Sequence, residues 1–140
     1  MTFSVCAPAG LLVDSDLFLK VARRLPLSSR MDQLLSQGAQ PRFVSVVSTW
    51  QLLLRERAGL EALPHPVLKM LQGERSVLGF QSLPLDEACL AHLAQLQDLE
   101  LAPWDQLMIC QAIEHHLQFL SERPIFRSAS LKDLLLQVVD

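Results

Sequence analysis

The sequence predicts an α/β fold built on a parallel sheet, from three observations. Short apolar runs alternate with stretches of helical periodicity along the 140 residues, the pattern of β-α-β units. The strand-like runs are apolar throughout, as they are when both faces of a sheet are covered by helices. Half of the residues are apolar, enough to bury a sizeable core in one domain spanning residues 1–140.

Ala9 to Val13 is a short apolar run ending at Asp14, and reads as a buried strand. Asp16 to Arg24 reads as a helix stopped before Pro26, and Ser28 to Gln37 as a second helix closed by Gly38. Phe43 to Val47 is apolar and rich in β-branched residues, the mark of a second strand. Ser48 is expected to start a helix that runs to about Ala58 and stops at Gly59. Pro64-His65-Pro66 reads as a turn inside the domain. A short helix is expected over Pro66–Leu71 and a weaker strand over Ser76–Leu83. Leu85 to Leu96 places Leu85, Ala88, Cys89, Leu93 and Leu96 on one helical stripe. Pro103 opens a helix to about His116, and Leu117–Leu120 reads as a strand. The tail, Leu131 to Val139, reads as a helix or as a helix running into an edge strand.

Net charge is −3, unevenly spread. Residues 1–80 hold nine Lys/Arg against six Asp/Glu, and residues 81–140 hold three against nine. That balance is not that of a dedicated nucleic-acid binder, though a local basic face on the N-terminal half is open, beside ordinary solvated helix faces. Cys6, Cys89 and Cys110 are odd in number and widely spaced, which argues for reduced thiols in a cytoplasmic protein. No H-x-x-x-H pattern or Cys/His cluster occurs along the chain, and His65 and His92 sit alone, so zinc is not expected. The absence of a Gly-rich phosphate loop and of a nucleophile elbow excludes kinase, dinucleotide-dehydrogenase and serine-hydrolase chemistry. No apolar run reaches the roughly 18 residues needed to cross a bilayer, and nothing at the N-terminus directs export.

Ligand sites in open parallel sheets lie beyond the carboxyl ends of the strands. That rule selects Asp14-Ser15-Asp16, Ser48-Thr49-Trp50-Gln51 and Ser121-Glu122-Arg123. These segments, in this order, resemble the PIN-domain family, especially its VapC-type toxins. Leu11-Leu12-Val13-Asp14 resembles the family's opening strand and first aspartate. Val44 to Gln51 resembles its strand followed by S-x-W-E. Ala102-Pro103-Trp104-Asp105-Gln106-Leu107-Met108-Ile109-Cys110-Gln111-Ala112 resembles its D-P-F-D-R-L-L-I-A-Q-A, and Leu120 to Phe126 its V-T-R-D-x-x-F. The matched segments span about residues 11–126.

The resemblance implies a three-layer α/β/α sandwich with a parallel sheet of four or five strands. It also implies a Mg²⁺- or Mn²⁺-dependent single-strand ribonuclease of a toxin-antitoxin system, partnered by a small antitoxin. Hard divalent cations take oxygen ligands, and carboxylates from separate strand ends can share them. The family's acidic set maps onto Asp14, Gln51, Asp105 and Arg123, with Glu122 one residue before the last position and Ala102 replacing a further aspartate. Asp14, Gln51, Asp105 and Glu122 are therefore the candidate catalytic residues. Gln51 removes one negative charge, and a guanidinium at Arg123 would repel a metal and could pair with the carboxylates itself. A shift of one residue in the last loop would instead bring in Glu122, and Asp14, Asp16, Asp105 and Glu122 would form a complete metal-binding set.

Each of these residues also has a plain structural role open to it. Ser48-x-x-Gln51 fits a capping box, Asp14 with Ser15 could cap the first helix, and Asp105 suits the first turn of its helix. Trp50 and Trp104 are read as packing residues flanking the cleft. Two functions follow: a metal-dependent endoribonuclease with impaired metal binding and cleavage, or a catalytically inactive PIN fold binding single-stranded RNA or protein. The apolar helices near residues 16–36 and 66–71 would suit a groove for a partner helix or the seam of a homodimer.

Overall fold

The computed structural model describes residues 8–37, 40–59, 66–97 and 99–127, together with the backbone of 138–139. Cys6, Gly38, Pro64-His65 and the helix expected from Leu131 lie outside the described residues.

Five strands form one parallel sheet: β1 (Gly10–Val13), β2 (Arg42–Ser45), β3 (Phe80–Leu83), β4 (Leu117–Leu120) and β5 (Val138–Val139), in the order β3-β2-β1-β4-β5. β1 is central, with Val13 in register with Val44 on one side and Leu120 on the other. Successive side chains of β1 face opposite ways. Leu11 and Val13 enter a core with Phe18, Met31, Leu52 and Leu71, while Leu12 enters a second core with Phe119, Met108, Ile109 and Phe126. Two cores on one sheet make the three-layer α/β/α architecture expected from the resemblance.

The helices are α1 (Ser15–Ala22), α2 (Ser29–Ser36), α3 (Val46–Ala58), α4 (Val67–Leu78), α5 (Glu87–Leu90) and α6 (Pro103–Glu114). The segment Ala91–Leu96 continues α5 as a 3₁₀ helix, and Pro124–Arg127 forms another. α1, α2 and α4 supply the first core, and α5 and α6 the second. Gly10 opens β1 because a Cβ there would lie 2.7 Å from the Pro41 carbonyl oxygen, which accepts from Leu11 N.

Three boundaries differ from the sequence expectation. α3 begins at Val46, two residues before Ser48, because the Ser45 hydroxyl caps it by accepting from Val47 N at 2.9 Å. β-branched Val46 and Val47 are thus drawn from the expected strand into a helix by a cap. α4 runs on to Leu78, absorbing Ser76–Leu78, and stops at Gly79 with φ 76°. β3 accordingly starts at Phe80. The Leu85–Leu96 helix starts late and divides, since Asp86 caps it through Cys89 N at 3.0 Å and the segment tightens after Leu90.

Candidate functional site

The chain builds outward on one side of β1 through β2 and β3, then crosses to β4. The crevice beyond the carboxyl ends of β1 and β4 is therefore the switch point of the sheet. Asp14 and Ser121 are the first residues past those two strands. Ser121 Oγ donates to Asp14 Oδ2 at 2.6 Å, and Asp14 Oδ1 accepts from Leu17 N at 2.8 Å as the N-cap of α1. Asp14 is 1% exposed. Burial pushes its carboxyl up to about 6, against the lowering by Ser121 and Leu17 N.

Asp105 enters from the first turn of α6, where Pro103 occupies an early position whose N–H has no helical partner. It is also 1% exposed. Arg123 Nη1 donates to its Oδ1 at 2.9 Å, while Oδ2 is buried with no hydrogen-bond partner among the described residues. Burial raises the Asp105 carboxyl, and the Arg123 guanidinium opposes that rise. Burial alone would lower the Arg123 pKa, but the neighbouring carboxylates of Asp105, Asp14 and Asp16 more than reverse it. The guanidinium is aimed by a stack on Phe126, 5.1 Å from the ring centre, and its Nε lies 3.9 Å from Asp16 Oδ2. Arg123 N also donates to Ser121 Oγ at 3.1 Å. Asp14, Ser121, Arg123 and Asp105 thus form one connected cluster, although 91 residues separate the two aspartates along the chain.

Gln51 reaches the same cleft from α3. Its amide nitrogen donates to Ser15 Oγ at 2.6 Å, and its oxygen accepts from Trp104 Nε1 at 3.1 Å and Arg55 Nη2 at 3.2 Å. Ser15 Oγ donates to Ser48 Oγ at 2.9 Å. The capping-box alternative for Ser48 and Gln51 is therefore corrected: Ser45 caps α3, and both residues lie inside the helix facing the cleft. Trp104 and half-exposed Trp50 pack edge to face, with ring centres 6.3 Å apart, at the rim. Arg55 Nη1 donates to Asp16 Oδ1 at 3.0 Å.

Glu122 is turned away from this group. Its two oxygens accept from Lys20 Nζ at 2.8 Å and Ser28 N at 3.0 Å, which together hold its pKa down despite partial burial. The loop register thus presents Arg123, not Glu122, to Asp105. The structure brings together Asp14, Asp16, Gln51 and Asp105, and leaves Glu122 outside.

The donor set does not fit a pair of hard divalent ions. Both oxygens of Asp14 are engaged, the Gln51 oxygen has two donors, and Asp16 is met by two arginines. Among the described residues Asp105 Oδ2 is buried without a hydrogen bond, and Asp16 Oδ2 meets only Arg123 Nε, at 3.9 Å. Three aspartates against Arg55 and Arg123 leave a local charge near −1, which attracts a pair of divalent ions far less than uncompensated carboxylates would.

Arg55 was not singled out in the sequence, and Ser15 and Ser121 were selected only as members of their loop segments, without a hydrogen-bonding role in the cleft. Arg55 had a legible signal, since it follows Gln51 by four residues and must share its helix face. The partners of the two hydroxyls had none, because serine is common in the loops after strands. A second grouping was also missed. Asp86, Cys89 and His115 converge, although no motif spacing unites them, which corrects the expectation that no Cys/His cluster exists.

No protein-family profile matches the chain, and no curated protein matches it in sequence. Solved structures do match. A chain of VapBC2 from Rickettsia felis, bound to a DNA fragment from its promoter, superposes with a TM-score of 0.66 at 12% identity, over 93% of this chain and 96% of that one. A DNA-bound VapBC from Salmonella typhimurium gives 0.66 at 14% identity, over 94% and 97%. FitAcB from Neisseria gonorrhoeae gives 0.58 at 23% identity, over 93% and 96%. At such identities the likeness is one of fold: this chain has the PIN-like α/β/α architecture.

Proposed function

We propose that this chain is a PIN-fold relative of VapC-type toxin ribonucleases in which Arg123 has taken the place of the divalent metal, so that metal binding and RNA cleavage are impaired. The observation that carries this is the 2.9 Å contact from half-buried Arg123 Nη1 to buried Asp105 Oδ1. A guanidinium there supplies positive charge that partly offsets Asp14 and Asp105, and it does so without a coordination position for water. It cannot generate a metal-bound hydroxide.

An antitoxin-like protein, expected in the cytoplasm, is the partner that fits this proposal. The solved relatives are toxin-antitoxin complexes. A groove beside α1 and α2 is lined by apolar Val21, Leu25, Pro26, Leu27 and Leu35 and by polar Arg24, Asp32, Ser36 and Arg42, a mixed surface suited to an amphipathic partner helix. The exposed stripe of Val46, Trp50, Leu53 and Leu54 on α3 is the surface for a homodimer. Among the described residues no helix is long and apolar enough to cross a membrane. A second reading, an inactive fold that binds single-stranded RNA or protein, shares these surfaces.

The test is cleavage of single-stranded RNA in Mg²⁺ or Mn²⁺ by the native chain, Asp14→Asn and Arg123→Asp. The expected result is an inert native chain and cleavage by Arg123→Asp. Native cleavage abolished by Asp14→Asn would overturn the proposal.

A further inference from the structure

The geometry points to a site for a thiolate-binding transition ion of the zinc class, held by Asp86, Cys89 and His115; we infer this independently of the function proposed above. One ligand atom from each residue lies within 4.8 Å of the other two. Cys89 Sγ is 3.7 Å from His115 Nε2. An ion about 2.3 Å from sulfur and about 2.0 Å from nitrogen, at a tetrahedral angle, sets that edge at about 3.5 Å. The pair is thus spaced for shared coordination with little movement.

Each ligand is placed by secondary structure. Asp86 caps α5, with Oδ1 accepting from Cys89 N at 3.0 Å, which puts carboxylate and thiol on one turn. His115 caps the carboxyl end of α6, its N–H bonded to Gln111 O, and it packs on that turn from the neighbouring helix. Helix capping explains why Asp86 is bonded to Cys89 N. It does not require an imidazole nitrogen to meet the same thiol. Glu114, held by His92 Nε2 at 3.0 Å, adds negative charge that acts on Cys89. A cation is the ligand this field favours. The sulfur and nitrogen donors exclude Mg²⁺ and Ca²⁺ and select zinc-like ions. Asp86 is exposed, so three protein ligands would leave a fourth position to water.

The site is separate from the acidic cleft. Asp105 and His115 are ten residues apart at opposite ends of α6, about 15 Å along its axis. Burial pushes the Cys89 thiol up. Coordination would break its S–H bond, form a sulfur–metal bond and release one proton to solvent per ion.

The test is titration of the reduced full chain with Co²⁺ and then Zn²⁺. The expected result is one equivalent of cobalt with thiolate charge-transfer and tetrahedral d–d absorption, displaced by zinc. Cys89→Ser should abolish the charge-transfer band, and His115→Gln should weaken binding by more than about tenfold. Asp86→Asn keeps the cap, so folding is preserved, and it too should weaken binding. Cys110→Ser and Asp105→Asn should leave the spectrum unchanged. Absence of a cobalt spectrum in the native chain, or a spectrum that survives in Cys89→Ser or vanishes in Cys110→Ser, would overturn the inference.

Discussion

Asp14 holds a conflicted position. Its two hydrogen bonds favour the charged carboxylate, and its burial at the end of β1 disfavours it more strongly. Its folded pKa of about 6 exceeds the model-compound value of 3.8. The folded state therefore holds this proton where the unfolded chain has released it. The associated stability is fully present below about pH 4 and is lost as pH rises through about 6. A rise of about two pKa units corresponds to about 3 kcal/mol. Asp14→Asn should keep the cap to Leu17 N and remove this dependence. Denaturant unfolding should show the variant more stable than native at pH 7.5, by about 1–3 kcal/mol, with the gap closing near pH 4. At this scale the sequence was informative about which residues meet, less so about their state. Asp14 and Asp105 were legible because both follow from strand and helix ends. The orientation of Glu122 was not, because neighbouring loop residues point opposite ways and only Lys20 and Ser28 N decide which one turns inward.

Elements were legible where composition and period agree. β4 lies at Leu117–Leu120 as expected, and α6 begins at Pro103. Boundaries moved where one cap decides. Ser45 ends β2 and starts α3 against the β propensity of Val46 and Val47, and that shift turns Gln51 into the cleft. Gly79 lets α4 run to Leu78 before β3 starts. Gly10 marks the closest approach between elements, with the Pro41 carbonyl seated where a side chain would be. Gly10→Ala should destabilise the fold by about 1–3 kcal/mol, because backbone on the β2 side must move to admit a methyl group. Thermal unfolding checks this, and an unchanged Tm would show that the approach is looser than described.

The whole molecule assembles its cleft from residues far apart in the chain, and only the sheet order makes them neighbours. β1 beside β4 brings Asp14 to Ser121, and α6 delivers Asp105 to Arg123. The parallel α/β class could be read from alternating runs, and the cleft from the rule that sites lie past strand ends. The second cluster could not, because His115 lies 26 residues from Cys89 and meets the Asp86–Cys89 turn only through packing of α5 on α6. At this scale the charge balance of the cleft is the central claim of the proposal, in which Arg123 would supply the positive charge that a metal otherwise supplies. Calorimetric titration with Mn²⁺ tests it most directly, comparing the native chain with Arg123→Asp in a Cys89→Ser background that removes the thiol site. The expected result is no saturable binding by the arginine form up to millimolar Mn²⁺ and saturable binding once Arg123 is replaced by aspartate. Tight, saturable Mn²⁺ binding with Arg123 in place, lost in Asp105→Asn, would contradict it.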